Sequence, residues 1–277
     1  RRQELYLWDS VADSARKVLD LRYQLLPYLY TLVYDAHKSG SPMARPLFFH
    51  FHHDPTSLKI DSQFLLGRSI LVSPVLAPNT TFVNAYFPQG TWYNLFNYSQ
   101  IIIHPEYGSY ENISTPLDAT NVHVGEGSIL PLQESALTTT AARKTPFKLI
   151  VAFSLASEKQ TVDQADGTLY LDDGESVMMD VEEGKATFLD FHASKGNGTY
   201  FEVRSSVQEG KFAMDEGYVL QTLLVLGTSS LPKNLKVNGM DALESVQVKS
   251  LDQVSLEISK LNLHLGEPFS VQWSTHA

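Results

Sequence analysis

Cysteine is absent from these 277 residues, which excludes disulfides and thiol chemistry. No basic block occurs, and 31 acidic against 21 basic side chains give a formal charge of -10. A field of that sign repels phosphate backbones and anionic lipid, so no nucleic-acid partner and no membrane partner is expected. No apolar run approaches the ~20 residues that span a bilayer. Internal repeats and low-complexity tracts are missing. So are the lipase-type Gly-x-Ser-x-Gly word, a phosphate-binding Gly-rich loop and the zinc-protease His-Glu-x-x-His word. The chain also lacks an initiator Met and a signal peptide and opens on Arg1-Arg2, so a piece of a longer product is the expectation.

What is present is globular. Apolar residues make up 43% of the chain and charged residues 19%, a balance that favours a packed core over disorder. The length accommodates two ordinary domains. Four Asn-x-Ser/Thr sequons, at Asn79, Asn97, Asn112 and Asn197, sit in turn-like contexts and are the candidate glycosylation sites. They predict passage through the secretory pathway, with an extracellular (cell wall or apoplast), vacuolar or lysosome-like destination.

From Asp9 to Lys38 the apolar residues Val11, Ala15, Val18, Leu19, Leu25, Leu26, Leu29, Val33 and Ala36 keep a helical period. Ser10 with Asp13 reads as a capping box, and Gly40 stands where a helix would stop. Pro27 inside the pattern predicts a kink or two abutting helices. Beyond Ala44 the period changes to two. Leu47-Phe49-Phe51 alternate against Phe48-His50-His52, and Arg68 to Leu76 reads as a strand buried on both faces. Thr81 to Phe87 and Thr91 to Phe96 flank a turn at Pro88-Gln89-Gly90. Pro105 to Pro116 is polar and reads as an exposed loop. Strands resume at Ala119 to Val124 and Ser128 to Leu132, and Gln133 to Pro146 is the best candidate for an internal boundary.

The last third alternates most clearly, in Leu149-Val151-Phe153, Phe201-Val203-Ser205-Val207, Val254-Leu256-Ile258, Leu261-Leu263-Leu265 and Phe269-Val271-Trp273. Gly196 to Gly198 and Asn238-Gly239 are turn signals, the second suited to a tight hairpin. Short strands at this spacing predict an antiparallel sandwich.

Three constellations invite chemistry. His50, His52, His53 and Asp54 could hold zinc or copper if His50 and His52 share a strand face; a polar sheet face explains them equally well. Leu171-Asp172-Asp173-Gly174-Glu175-Ser176 could bind Ca²⁺ or supply a glycosidase carboxylate pair. It lacks the alternating ligand spacing of a calcium loop, and a solvated hairpin turn is the favoured reading. Phe87, Trp92, Tyr93 and Phe96 could stack on sugar, yet the same alternation fills a sandwich core, which is favoured.

Several words of the chain resemble glycoside hydrolase family 31 α-glucosidases, and the plant branch most of all. They are Leu21-Arg22-Tyr23 with Leu25 to Leu32, Ala44-Arg45-Pro46-Leu47-Phe48-Phe49, Gln63 to Gly67 with Ser73 to Leu76, and Phe87 to Tyr93. Asn121 to Val124, Ile129 to Gln133 and Asp172 to Ser176 continue the match in order. The resemblance implies a mainly β fold: the helical end of a (β/α)8 barrel over 1–43, a proximal antiparallel β-sandwich over 44–142 and a distal one over 143–277. It also implies a retaining enzyme without cofactor or metal, acting on maltose, malto-oligosaccharides and starch from their non-reducing ends. The two carboxyls, roughly 5 Å apart in such chemistry, belong to the barrel upstream of Arg1, so no catalytic residue is assigned here. The substrate-binding Arg-Asn-His word also falls before Arg1, and Gln3-Glu4 would lie near the active-site rim. The partner expected is therefore the N-terminal catalytic part of the same enzyme, with the helix stripe laid on its barrel. The His50–His53 strip departs from the family. A free carbohydrate-binding module using Trp92 or Trp273, or a structural β-sandwich glycoprotein, is the alternative.

Overall fold

The computed structural model describes residues 2–103, 107–155, 163–176, 179, 185–196, 199–228 and 230–275. The expected helix is two, α1 (Asp9–Gln24) and α2 (Leu26–Ser39), meeting at Leu25 one residue before the proline turn. Pro27 sits in the first turn of α2, where its missing N–H costs nothing. Gly40 ends α2 in the left-handed region, φ 73°, as its position predicted. The capping box is not formed: α1 starts at Asp9 behind Trp8, and Asp13 pairs with Arg16 at 2.6 Å.

Next come β1 (Ala44–Arg45), β2 (Phe64–Leu66), β3 (Ile70–Val72), β4 (Phe82–Phe87), β5 (Gly90–Asn94), β6 (Gln100–Ile103), β7 (Ser109–Ser114) and β8 (Val122–Gly125). One sheet runs β1-β2-β3-β8-β5-β6, and β4 pairs with β7 in a separate ribbon. The Pro88-Gln89 turn therefore carries the chain from one sheet to another. Leu47, Leu65, Leu71, Tyr86, Phe87 and Trp92 fill the space between them.

Three expectations change here. Leu47–Phe49 is a 3₁₀ turn, because the core-facing residues are Leu47 and Phe51, spaced by four, while Phe48 and Phe49 are exposed. The strand within Arg68 to Leu76 is only three residues long. Ile70 and Leu71 are buried in different cores, but Leu76 is exposed. Ser109–Ser114, expected as loop, is a strand paired residue for residue with β4.

The rest of the chain forms β9 (Ser128–Gln133), the short α3 (Thr139–Ala142), β10 (Phe147–Ala152), β11 (Asp163–Asp172), β12 (Ala186–Gly196) and β13 (Tyr200–Gly210). Then follow α4 (Phe212–Asp215), β14 (Val219–Leu226), β15 (Asn234–Val237), β16 (Met240–Asp241), β17 (Gln247–Ser250), β18 (Ser255–His264) and β19 (Ser270–Ser274). Among the described residues these strands make one eleven-stranded sheet, β16-β15-β19-β13-β12-β11-β9-β10-β14-β18-β17. It curls so that β19, β13, β12 and β11 face β10, β14 and β18 across a single core that includes Phe153, Phe191, Phe201 and Trp273. Asn238 and Gly239, both at positive φ, close the β15–β16 hairpin as expected. In β18 the apolar parity shifts between Ile258 and Leu261. A bulge with Lys260 and Asn262 at positive φ absorbs the shift, so both apolar sets face the same core.

Strands β9, β10 and β14 are buried on both sides, which corrects the expectation of polar alternation around Leu149-Val151-Phe153. Leu149 and Val151 point into the distal core, while Ile150 and Ala152 point into a second core shared with Leu21, Leu25, Tyr28, Leu32, Ile70, Tyr93 and Val124. Helices, proximal sheet and distal sheet are thereby welded through one wall. Gly67 sits where a Cβ would fall 2.4 Å from the Tyr28 hydroxyl, and it lets that hydroxyl reach the Leu66 carbonyl at 2.8 Å.

Candidate functional site

The helix pair has two apolar faces with different fates. Leu21, Leu25, Tyr28 and Leu32, spaced at 4, 3 and 4, are buried against the shared wall. Val11, Val18, Leu19 and Val33 lie on the other stripe and remain exposed, together with Leu5, Tyr6 and Trp8 just ahead of α1. The expected stripe thus divides: Leu25 belongs to this chain's own core, and the uncovered part begins at Leu5. Near the α2 end this face opens into a groove of about 410 Å³ lined by Leu26, Leu29, Val33, Met43, Phe147 and Tyr218. A cluster of exposed apolar side chains on one helix stripe is the kind of surface that serves as an interaction face.

The acidic word Asp172–Ser176 clamps α2 to the distal sheet. Asp172, 2% exposed, accepts a hydrogen bond from the Tyr30 hydroxyl at 2.9 Å and from the Gly174 N–H at 2.8 Å. Its carbonyl accepts from the Arg143 guanidinium. Burial, then the Asp172 carboxylate, holds the Tyr30 hydroxyl well above the usual phenol range. Asp173 accepts from the N–H groups of Glu175 and Ser176 and from the Ser176 hydroxyl at 2.7–2.9 Å. Those donors pull its carboxyl down to about 2. Asp173 is exposed and satisfied within the turn, as the solvated-turn reading expected, whereas Asp172 departs from it: it is buried and shared between the Gly174 N–H and the Tyr30 hydroxyl. Among the described residues no group of three metal-type ligands converges.

The histidine strip does not lie on a strand. His50 Nε2 accepts from the buried Arg45 guanidinium at 2.9 Å, and the same guanidinium lies over Phe49. Burial, and then the Arg45 charge, lowers the His50 pKa. His52 and His53 pack on each other, exposed. Asp54 is 6% exposed and takes the Tyr86 hydroxyl, whose pKa is pushed up to about 12 by burial and that bond. The metal reading of this strip loses its geometric basis.

Trp92 and Trp273 are 3% and 1% exposed. Trp92 Nε1 donates to the Pro88 carbonyl at 2.9 Å, and Trp273 stacks on Phe201 with centroids 5.0 Å apart. Neither can meet a sugar, so the free binding module loses both of its named residues; Phe87 and Tyr93 are buried as well, and Phe96 is exposed. Asn79, Asn97 and Asn112 are exposed, Asn79 in a positive-φ turn and Asn112 on β7. Asn197 lies outside the described residues.

A feature missed in the sequence is the orphaned Nδ1 of His123, a residue 2% exposed with Phe87 edge-on to its ring. Burial lowers its pKa to about 4. Only its place in the Asn121 to Val124 word could have marked it.

These features define a pair of β-sandwich layers fronted by helices with one covered and one uncovered apolar face. Residues 40–130 match the glycosyl hydrolase family 31 C-terminal domain, and residues 1–32 match the family 31 TIM-barrel domain. Over 98% of its length the chain is 39% identical to alpha-xylosidase 1 of Arabidopsis thaliana and 42% identical to an alpha-glucosidase of Hordeum vulgare. It spans 31% of the length of each. A glucosidase II alpha subunit structure superposes with a TM-score of 0.83 at 22% identity, covering 99% of this chain and 30% of that one. The chain belongs to glycoside hydrolase family 31 and is a C-terminal portion of such a protein.

Proposed function

We propose that this chain is the C-terminal part of a retaining α-glucosidase that releases glucose from the non-reducing ends of maltose, malto-oligosaccharides and starch. The catalytic carboxylates belong to the barrel that precedes it, and this part buttresses that barrel without contributing one. The observation that carries the reading is the uncovered stripe from Leu5 to Leu19, on the segment that matches the barrel domain. Burying such a stripe against barrel strands removes apolar area at about 25 cal/mol per Å². The division proposed is a barrel remnant over 1–43, a proximal sandwich over 44–142 and a distal sandwich over 143–277, with β9 of the proximal stretch completing the distal sheet. Exposure of three sequons supports passage through the secretory pathway. The test is hydrolysis of maltose and of an α-xyloside by the full-length polypeptide, before and after nicking ahead of Arg1. Glucose release by a complex in which the two pieces co-elute supports the proposal. A fully folded full-length protein that cleaves only the xyloside overturns the glucosidase assignment.

A further inference from the structure

Outside the faces already described, the outer surface of β11, β12 and β13 holds a cleft of about 650 Å³. Its floor is set by strand register. Asp166, His192 and Arg204 are direct cross-strand partners, and so are Thr168, Asp190 and Ser206 in the next row. Neighbouring strands lie about 4.8 Å apart, so each row sets three polar side chains side by side on one face. Tyr34 of α2, packed on Tyr170 and Phe188, covers one end of this face. Arg68, from the β2–β3 turn, closes the other by donating to the Asp166 carbonyl at 3.1 Å. His192 Nδ1 meets Asp166 Oδ1 at 2.7 Å, which fixes both side chains.

The lining chooses the ligand class. Arg68 and Arg204 balance Asp166 and Asp190, two charges against two, within a chain of net charge -10. A site without net charge favours neither an anion nor a cation, and side chains of this polarity do not recruit an apolar segment. Carboxylates accept from, and guanidinium groups donate to, adjacent hydroxyls as paired hydrogen bonds. The volume falls within the ordinary range of small-molecule sites. We infer that this cleft is a non-catalytic binding site for a neutral oligosaccharide, with Arg204 and Asp190 as its principal contacts. It rests on the proposed glucosidase reading for the identity of the sugar, an α-glucan. Among the described lining residues the one aromatic, Phe191, is buried in the distal core and offers no ring face, so binding is weak, in the millimolar range.

The test is calorimetric titration of maltotriose into the full-length protein, with the active site saturated by deoxynojirimycin. Binding that survives the inhibitor and weakens about tenfold in both Arg204→Ala and Asp190→Asn is the expected result. Unaltered thermal melting of both variants establishes that they remain folded. Absence of inhibitor-resistant binding, or resistant binding indifferent to both substitutions, overturns the inference. Maltose hydrolysis measured without inhibitor separates the two proposals. Hydrolysis without resistant binding sinks only the cleft. Binding sensitive to both substitutions in a protein that does not hydrolyse maltose keeps the cleft and sinks the glucosidase reading.

Discussion

Tyr34 and Tyr170 lie face to face, ring centroids 4.1 Å apart and planes within 7°, and so fasten α2 to the distal sheet. One turn earlier, the Thr31 hydroxyl accepts from the Tyr170 N–H at 3.0 Å while donating to the Pro27 carbonyl at 2.9 Å. The helix is held by packing and by a satisfied backbone donor together. Tyr34→Ala should lower stability by about 3–5 kcal/mol, the range for truncating a buried aromatic. Thr31→Val should cost roughly 1–3 kcal/mol by stranding a buried N–H. Urea denaturation of each variant measures both.

The two faces of the helix pair predict opposite phenotypes. Leu25→Glu puts a charge into the shared core and should prevent folding. Leu19→Glu falls on the uncovered stripe and should leave the fold of this part intact while loosening its hold on the N-terminal polypeptide. Circular dichroism, and co-elution after nicking, distinguish the two. Firm co-elution of a Leu19→Glu protein would contradict the proposed docking face.

His123 should make the protein acid-sensitive in a defined window. Its folded pKa of about 4 lies below the ordinary value of 6.5, so the unfolded chain binds the proton more readily. The stability associated with neutral His123 is complete above about pH 6.5 and is lost as pH falls toward 4, by roughly 3 kcal/mol. Thermal melts of His123→Leu should show a flatter profile across that window than the parent.

Asp173 acts lower on the pH scale. Its carboxyl is held at about 2 by the N–H groups and hydroxyl of its own turn. A depressed acid contributes above its unfolded pKa, near 4, and its contribution disappears as pH falls to about 2. Asp173→Asn should therefore melt below the parent at neutral pH and converge with it near pH 2. Titration of the Asp173 carboxyl by NMR gives an independent check: a midpoint near 4 would contradict the turn geometry.

Much of the fold was legible in local chemistry. Pro27 fixed the helix junction and Gly40 its end, because φ restriction and the left-handed cap act within a few residues. Asn238-Gly239 specified its hairpin for the same reason, and the change of parity between Ile258 and Leu261 already contained the bulge of β18. Within the acidic word, Asp173 was legible as a turn residue, since it is satisfied by N–H groups two and three residues away, but the burial of Asp172 under the Tyr30 hydroxyl depends on a helix far off in sequence.

Tertiary structure decided what depends on partners distant in sequence. Leu25 and Leu19 are equally apolar, and only the presence of β9, β10 and β14 beneath one of them makes it core. Leu47 to Phe51 looked like a strand because three apolar residues alternated there, but among the described residues no strand pairs with them, and the four-residue spacing of Leu47 and Phe51 won. The polar rows from Asp166 to Arg204 and from Thr168 to Ser206 were invisible, because each member comes from a different strand. The sequence determined the elements and their punctuation, which arise from near-neighbour sterics and hydrogen bonds. Which faces are covered, and which side chains meet across strands, was set by long-range pairing, whose free energy no local pattern contains.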